Sequence, residues 1–344
     1  MGNVSQQHPY PWPIASFTGV GSWPGDDPDE AVRTVLGELP DLPHLPELPG
    51  RGAGADMIGR TGTLLVDLPI EVQPTGWRVV DTPGRDLARG ASFLSYDLDA
   101  LTEHAHSYTG PLKVQVAGPW TMAASVELRN GQRLVSDLGA VRDLAESHLE
   151  GVLAHLANVR ARVPGAELVA QIDEPSLPAV LVGSLPTASG YGLLPSVDRV
   201  RVETVLRNLF EALREAGATP AVHCCAPSVP VDLLRRSGAR ALGLNAHLVG
   251  RDHDEMIGAA VEDGVGLMLG VVPAVGGREM SDPATNVDPV RELWNRLGFS
   301  PDLLSRAVVT TPTCGLAGAS PHHARAALKA LRDGARVLRD EPRK

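Results

Sequence analysis

The chain has 344 residues, 43% of them hydrophobic and 21% charged, an ordinary composition for a globular protein. A formal net charge of −10 argues against nucleic acid as a partner and points to an acidic, water-facing surface. Three cysteines, two of them adjacent at Cys224 and Cys225, do not make a disulfide framework and suit a reducing, cytoplasmic compartment.

The opening residues, Met1–Tyr10, carry no apolar h-region, and Gln6 stands where a myristoylation signal wants Ser or Thr. The longest apolar stretch, Val265–Val275, contains Gly and Pro and is too short to span a bilayer. It reads as a buried strand with its exit loop, so no membrane partner is expected. Residues 1–13, rich in Gln, Pro and His, read as a loose arm, and residues 14–340 as one domain.

In chain order, Ser16–Ser22 is a short strand ending in Gly and Ser. Trp23–Pro28 is a turn whose Asp27 caps a helix over Asp29–Leu39, where Ala31, Val32, Val35 and Leu36 fall at helical spacing. A Pro-rich passage holds a strand at His44–Leu48, and Gly50–Asp56 leads into another helix. Alternation on either side of Pro74-Thr75-Gly76 predicts a β-hairpin inserted near residues 66–81. A helix follows over Asp97–Tyr108.

Short apolar strands then alternate with helices. Strands are expected at Leu112–Ala117, Glu167–Ile172, Pro220–His223, Ala241–Leu244, Val265–Val271 and Ala307–Thr311. Helices are expected at Ser136–Val163, Val197–Ala216, Pro230–Ser237, Asp252–Glu262, Pro289–Leu297 and Pro321–Val337. With the two early strands this makes eight strand–helix units, the pattern of an α/β protein built as a single (β/α)8 TIM barrel; an open doubly wound sheet is the alternative. No glycine-rich phosphate loop follows any strand, which leaves dinucleotide and P-loop readings without support.

Barrel enzymes build their sites at the C-terminal ends of strands, and every chemically suggestive cluster falls there. His223 and Cys225 follow the fifth strand and Cys314 the eighth, giving three soft ligands of the kind Zn²⁺ takes, with a fourth position open. Asn245 and His247 follow the sixth strand. Cys224 should face the barrel wall, because neighbouring strand residues point opposite ways. Asp173 and Glu174 end the fourth strand, either as a cap and a solvated acid or as acids that hold a substrate ammonium. Ser22 is either a turn residue or a hydroxyl aimed at substrate. Trp120 and Trp23 are either packing or a stacking wall.

At these residues the chain resembles the catalytic barrel of the cobalamin-independent methionine synthases. More broadly it is similar to the superfamily of uroporphyrinogen decarboxylase and the coenzyme M methyltransferases. The resemblance runs from about Thr18 to Leu338. It rests on Thr18-Gly-Val-Gly-Ser-Trp-Pro24, Ala117-Gly-Pro-Trp-Thr121, Gln171-Ile-Asp-Glu-Pro-Ser-Leu177, His223-Cys-Cys225 and Cys314-Gly-Leu316. The family's large N-terminal half is absent, which makes this a core-only form.

The resemblance implies a zinc ion on His223, Cys225 and Cys314 that takes a substrate thiol as thiolate, with Ser22 and Asp173 contacting the amino acid part of homocysteine. The methyl donor is then a methylated folate, a methyl-corrinoid protein or another activated methyl compound.

Three departures from the family stand out. The fourth zinc ligand, a Glu, falls on Asn245, with His247 close by. The loop after the seventh strand, Gly270–Gly277, lacks the family's His. The Glu that holds the substrate amine is replaced by Arg51, which suits a carboxylate or phosphate better. Two other readings compete with methyl transfer. One is a metal-free decarboxylase-like lyase whose Arg51 and Arg60 clamp carboxylates; the other is a non-catalytic thiol-binding barrel.

Overall fold

A computed structural model describes residues 10–276 and 282–343. Six parallel strands form one sheet in strictly sequential order: β3 (Gly110–Ala117), β4 (Ala166–Asp173), β5 (Thr219–Cys224), β6 (Ala241–Asn245), β7 (Gly266–Val272) and β8 (Val308–Pro312). Nearly every residue of these strands is buried, as expected when helices cover one face and side chains fill the other. β1 (Ile70–Gln73) and β2 (Gly76–Val79) form a separate antiparallel hairpin turning at Pro74-Thr75, where the alternation placed it.

The twelve helices among the described residues run between and around these strands. Before the sheet come α1 (Pro28–Glu38), α2 (Met57–Gly62) and α3 (Arg85–Ala105). Between its strands lie α4 (Pro119–Ser125), α5 (Leu138–Arg162), α6 (Leu177–Val182), α7 (Arg199–Glu215), α8 (Val231–Arg236), α9 (Asp254–Glu262), α10 (Pro283–Leu297) and α11 (Pro301–Ala307). The last is α12 (Pro321–Asp340). Asp27 caps α1 as read from the sequence, its Oδ1 accepting from the N–H groups of Asp29 at 2.9 Å and Glu30 at 3.3 Å. α10 starts at Pro283 rather than Pro289, because Asp282 accepts from Ala284 N–H at 3.0 Å and Pro283 takes the first helical position. α3 starts twelve residues before the expected Asp97; Gly90 within it obscured the helical pattern.

The expected eight-stranded sheet is observed as six strands. Residues 16–22 and 44–48, expected as the first two strands, make only isolated parallel bridges: Phe17 with Thr310 of β8, Ser22 with Glu47, and His44 with Lys113 of β3. For residues 44–48 the reason lies in Pro40, Pro43, Pro46 and Pro49, which recur every third residue and offer no N–H to a ladder. Of the arm expected over residues 1–13, residues 1–9 lie outside the described residues. Tyr10 and Trp12 stack on each other and are only 5% and 2% exposed, and the Trp12 indole donates to the Arg306 carbonyl at 3.0 Å. No described helix is long and apolar enough to cross a membrane.

Candidate active site

The strand register sets the site. Ala117 pairs with Asp173, Asp173 with His223, and His223 with Gly243, so the ends of β3 to β6 lie side by side. Cys225 follows β5 immediately, and Cys314 comes two residues after β8. Alternation along β5 puts His223 and Cys225 on one side and turns Cys224 away into the core, where burial raises its thiol to about 12.

The ligand atoms of His223, Cys225 and Cys314 all lie within 4.8 Å of one another. The two sulfurs are 3.5 Å apart. The two sulfurs share a hydrogen bond, which together with the neighbouring His223 ring lowers the pKa of Cys314 to about 4 and raises that of Cys225. Outside the cluster, His223 Nε2 is buried with no hydrogen-bond partner among the described residues, which is costly unless something else takes its lone pair. Two thiols and an imidazole nitrogen with no partner outside the cluster are a donor set suited to Zn²⁺. Neither candidate for the fourth position joins the cluster. Asn245 turns its Oδ1 to accept from the His247 N–H at 3.0 Å, and His247 is exposed.

Ser22 belongs to the wall of this site. Its carbonyl accepts from Leu316 N–H at 2.9 Å, and its Oγ accepts from Ala317 N–H at 3.4 Å, so it docks the loop that carries Cys314. The approach is so close that any side chain at Gly315 would strike the Ser22 hydroxyl. Asp173 is buried, with Oδ1 accepting from Gln171 Nε2 at 2.7 Å. Burial and the nearby Glu47 carboxylate push its pKa well above the ordinary range, while Lys113 opposes them.

Three of the expected substrate contacts are engaged within the protein. Glu174 caps α4: its two oxygens accept from the N–H groups of Trp120 at 3.0 Å and Thr121 at 2.7 Å, and from the Thr121 hydroxyl at 2.7 Å. Burial raises it to about 7. Trp120 is 0% exposed and offers no stacking wall, because α4 lays it into the core; Trp23 is also buried. Arg51 forms a forked ion pair with Asp97 at 2.8 and 2.9 Å and lies over the Phe93 ring. Asp97 pairs with Arg60 as well, so both guanidinium groups that a lyase would need for carboxylates share one internal partner.

The sequence reading missed Glu47. It is buried at the bridge to Ser22, 3.8 Å from Arg60, and its pKa is raised chiefly by burial. It also missed Lys113 and Gln115, although a signal was present. In Leu112-Lys-Val-Gln-Val116 polar residues alternate within a fully buried strand, which requires that they face a polar interior.

The ends of a parallel α/β sheet thus bring one imidazole and two thiols together, the layout of an α/β enzyme with its site at the strand ends. The family model described as "Cobalamin-independent synthase, Catalytic domain" matches residues 15–337, and the chain belongs to that family. It is accordingly a methyltransferase of the methionine synthase type. A solved B12-independent methionine synthase from Shewanella sp. W3-18-1, in complex with selenomethionine, superposes with a TM-score of 0.63 at 15% identity, covering 96% of this chain and 99% of that one. An active-site mutant of Rhizomucor miehei β-1,3-glucanosyltransferase matches at 8% identity over 87% and 86% of the two chains, with a TM-score of 0.36. No curated protein matches the chain.

Proposed function

We propose that this enzyme transfers a methyl group to the thiol of homocysteine, with zinc held by His223, Cys225 and Cys314. The observation that carries the proposal is the convergence of these three ligand atoms within 4.8 Å, together with a buried His223 Nε2 that has no partner outside the cluster among the described residues. Zinc bound there would supply acidity, keeping a substrate thiol as its nucleophilic thiolate at neutral pH without a protein base.

The chain's own residues would then orient the substrate. Asp173 and Glu47, two buried carboxylates near each other, suit a substrate ammonium group. Glu47, rather than Arg51, would then stand for the acid that the resemblance calls for near the second strand. Ser22 would hold the Cys314 loop and offer its hydroxyl to the substrate carboxylate. With the sulfur and the ammonium group both fixed, the methyl donor needs only to be placed in line with the sulfur.

We read residues 16–22 and 44–48 as the first two staves of an eight-membered (β/α)8 ring and residues 14–340 as one catalytic domain in the cytoplasm. The donor is a methyl-folate or a methyl-corrinoid protein. The loop Gly270–Gly277 carries no histidine of its own, while His323 of α12 bonds its Pro273 carbonyl at 3.0 Å.

Metal analysis combined with X-ray absorption, recorded with and without homocysteine, tests the proposal. Stoichiometric zinc and one additional sulfur at bonding distance on adding homocysteine are expected. Reduced protein that takes up no zinc would end the proposal.

A further inference from the structure

β3 is buried along its length, yet Lys113 interrupts it and is 0% exposed. A buried ammonium is costly unless all three protons are met, and here they are. Lys113 Nζ donates to the Val20 carbonyl at 2.7 Å, to Gln171 Oε1 at 2.8 Å and to Gln115 Oε1 at 3.3 Å. Nothing in the proposed chemistry uses this lysine directly.

Its effect lies in the polarity it imposes. Lysine has only donors, so each facing amide must present oxygen to it and turn its NH2 away. Gln171 Nε2 consequently donates to Asp173 Oδ1 at 2.7 Å and to the Val20 carbonyl at 2.8 Å, while Gln115 Nε2 donates to the Leu45 carbonyl. Were the Gln171 amide reversed, two oxygens would face each other at Asp173.

We infer that Lys113 is a positioning residue for the substrate: it fixes the orientation of Gln171, which aims the Asp173 carboxylate, and through Val20 it holds the segment that ends in Ser22. The inference rests on the reading of Asp173 as the partner of the substrate ammonium. The charged and titratable groups around Lys113 are Asp173, Glu47 and His44, with Arg60 and Asp97 adjoining Glu47, and the inference requires none of them to titrate.

Isothermal titration of the zinc-loaded full chain with homocysteine tests it, with the zinc content of each variant measured in parallel. Lys113→Met and Gln171→Met are each expected to raise Kd about tenfold or more, as the loss of a charge-assisted contact implies, with zinc content unchanged. Because the two residues act in series, the double variant should bind no more weakly than the weaker single variant. A purely structural lysine would lower the melting temperature and leave the Kd of the folded protein unchanged; that result, or additive effects in the double variant, overturns the inference. If Lys113→Met does not fold, Lys113→Gln decides, since it keeps a polar group at the position but removes the donor-only charge: a raised Kd with zinc content unchanged supports the inference and an unchanged Kd overturns it. Wild-type protein that binds no homocysteine overturns the site reading and this inference with it. Wild-type binding with unaffected variants overturns this inference alone.

Discussion

Two polar clusters serve the proposed site in opposite ways. At the strand ends, His223, Cys225 and Cys314 bond chiefly one another, and the buried His223 Nε2 has no hydrogen-bond partner outside that cluster among the described residues. In the interior, Arg51, Arg60, Asp97, Lys113, Gln115 and Gln171 are partnered with one another and with nearby backbone. Groups left unpartnered inside a fold have their bonding capacity reserved for a ligand, whereas groups that satisfy one another fix geometry. The first cluster should therefore govern what the protein binds, and the second how well it folds and aims.

Substitutions can break this contrast. Cys314→Ser should weaken zinc binding by at least about a hundredfold and abolish methyl transfer, since a hydroxyl is a poor substitute for thiolate. Its melting temperature without metal should stay close to that of wild type; a large drop in that temperature would erase the distinction between the clusters.

Asp97→Ala should do the reverse. It leaves Arg51 and Arg60 buried without their shared carboxylate and should cost about 3–5 kcal/mol in denaturant unfolding. Zinc should still bind to the fraction that remains folded.

A buried histidine sharpens the interior side of the contrast. The His148 ring bonds the Ala117 carbonyl at 2.8 Å, and burial lowers its pKa from 6.5 to about 4. The unfolded chain therefore binds a proton below pH 6.5 that the folded protein refuses. The stability contribution is complete above pH 6.5 and is lost as pH falls toward 4, at up to about 1.4 kcal/mol per pH unit. His148→Gln, which can keep an N–H on the same carbonyl, should flatten that part of the stability profile in acid melts. An unchanged slope would show that other groups set it.

The smallest effect should come at the hairpin. The partly exposed Arg78–Glu127 pair sits outside both clusters, and Glu127→Gln should cost no more than about 1 kcal/mol. A larger loss in thermal unfolding would mean that the hairpin is coupled to the core more tightly than its ion pair suggests.

Much of the fold was legible because its signals are local. Apolar runs of strand length, helical spacing and the Asp27 cap each depend on residues a few positions apart. The His223, Cys225 and Cys314 set was legible for a different reason: the chain has only three cysteines, and two of them fall just past strands on the same side as one histidine. Arg51 misled because its partner, Asp97, lies 46 residues away on another helix. Trp120 and Glu174 misled because α4, a helix of seven residues, is too short to show a pattern, yet it buries the indole and consumes the carboxylate.

By itself the sequence determined where strands end and which residues stand at those ends, because backbone periodicity acts over a few residues. Only the tertiary structure decided which of those side chains remain free for a ligand. A carboxylate or guanidinium is available only if no internal partner has taken it, and partners such as Asp97 for Arg51 or Gln171 for Lys113 meet through space rather than along the chain.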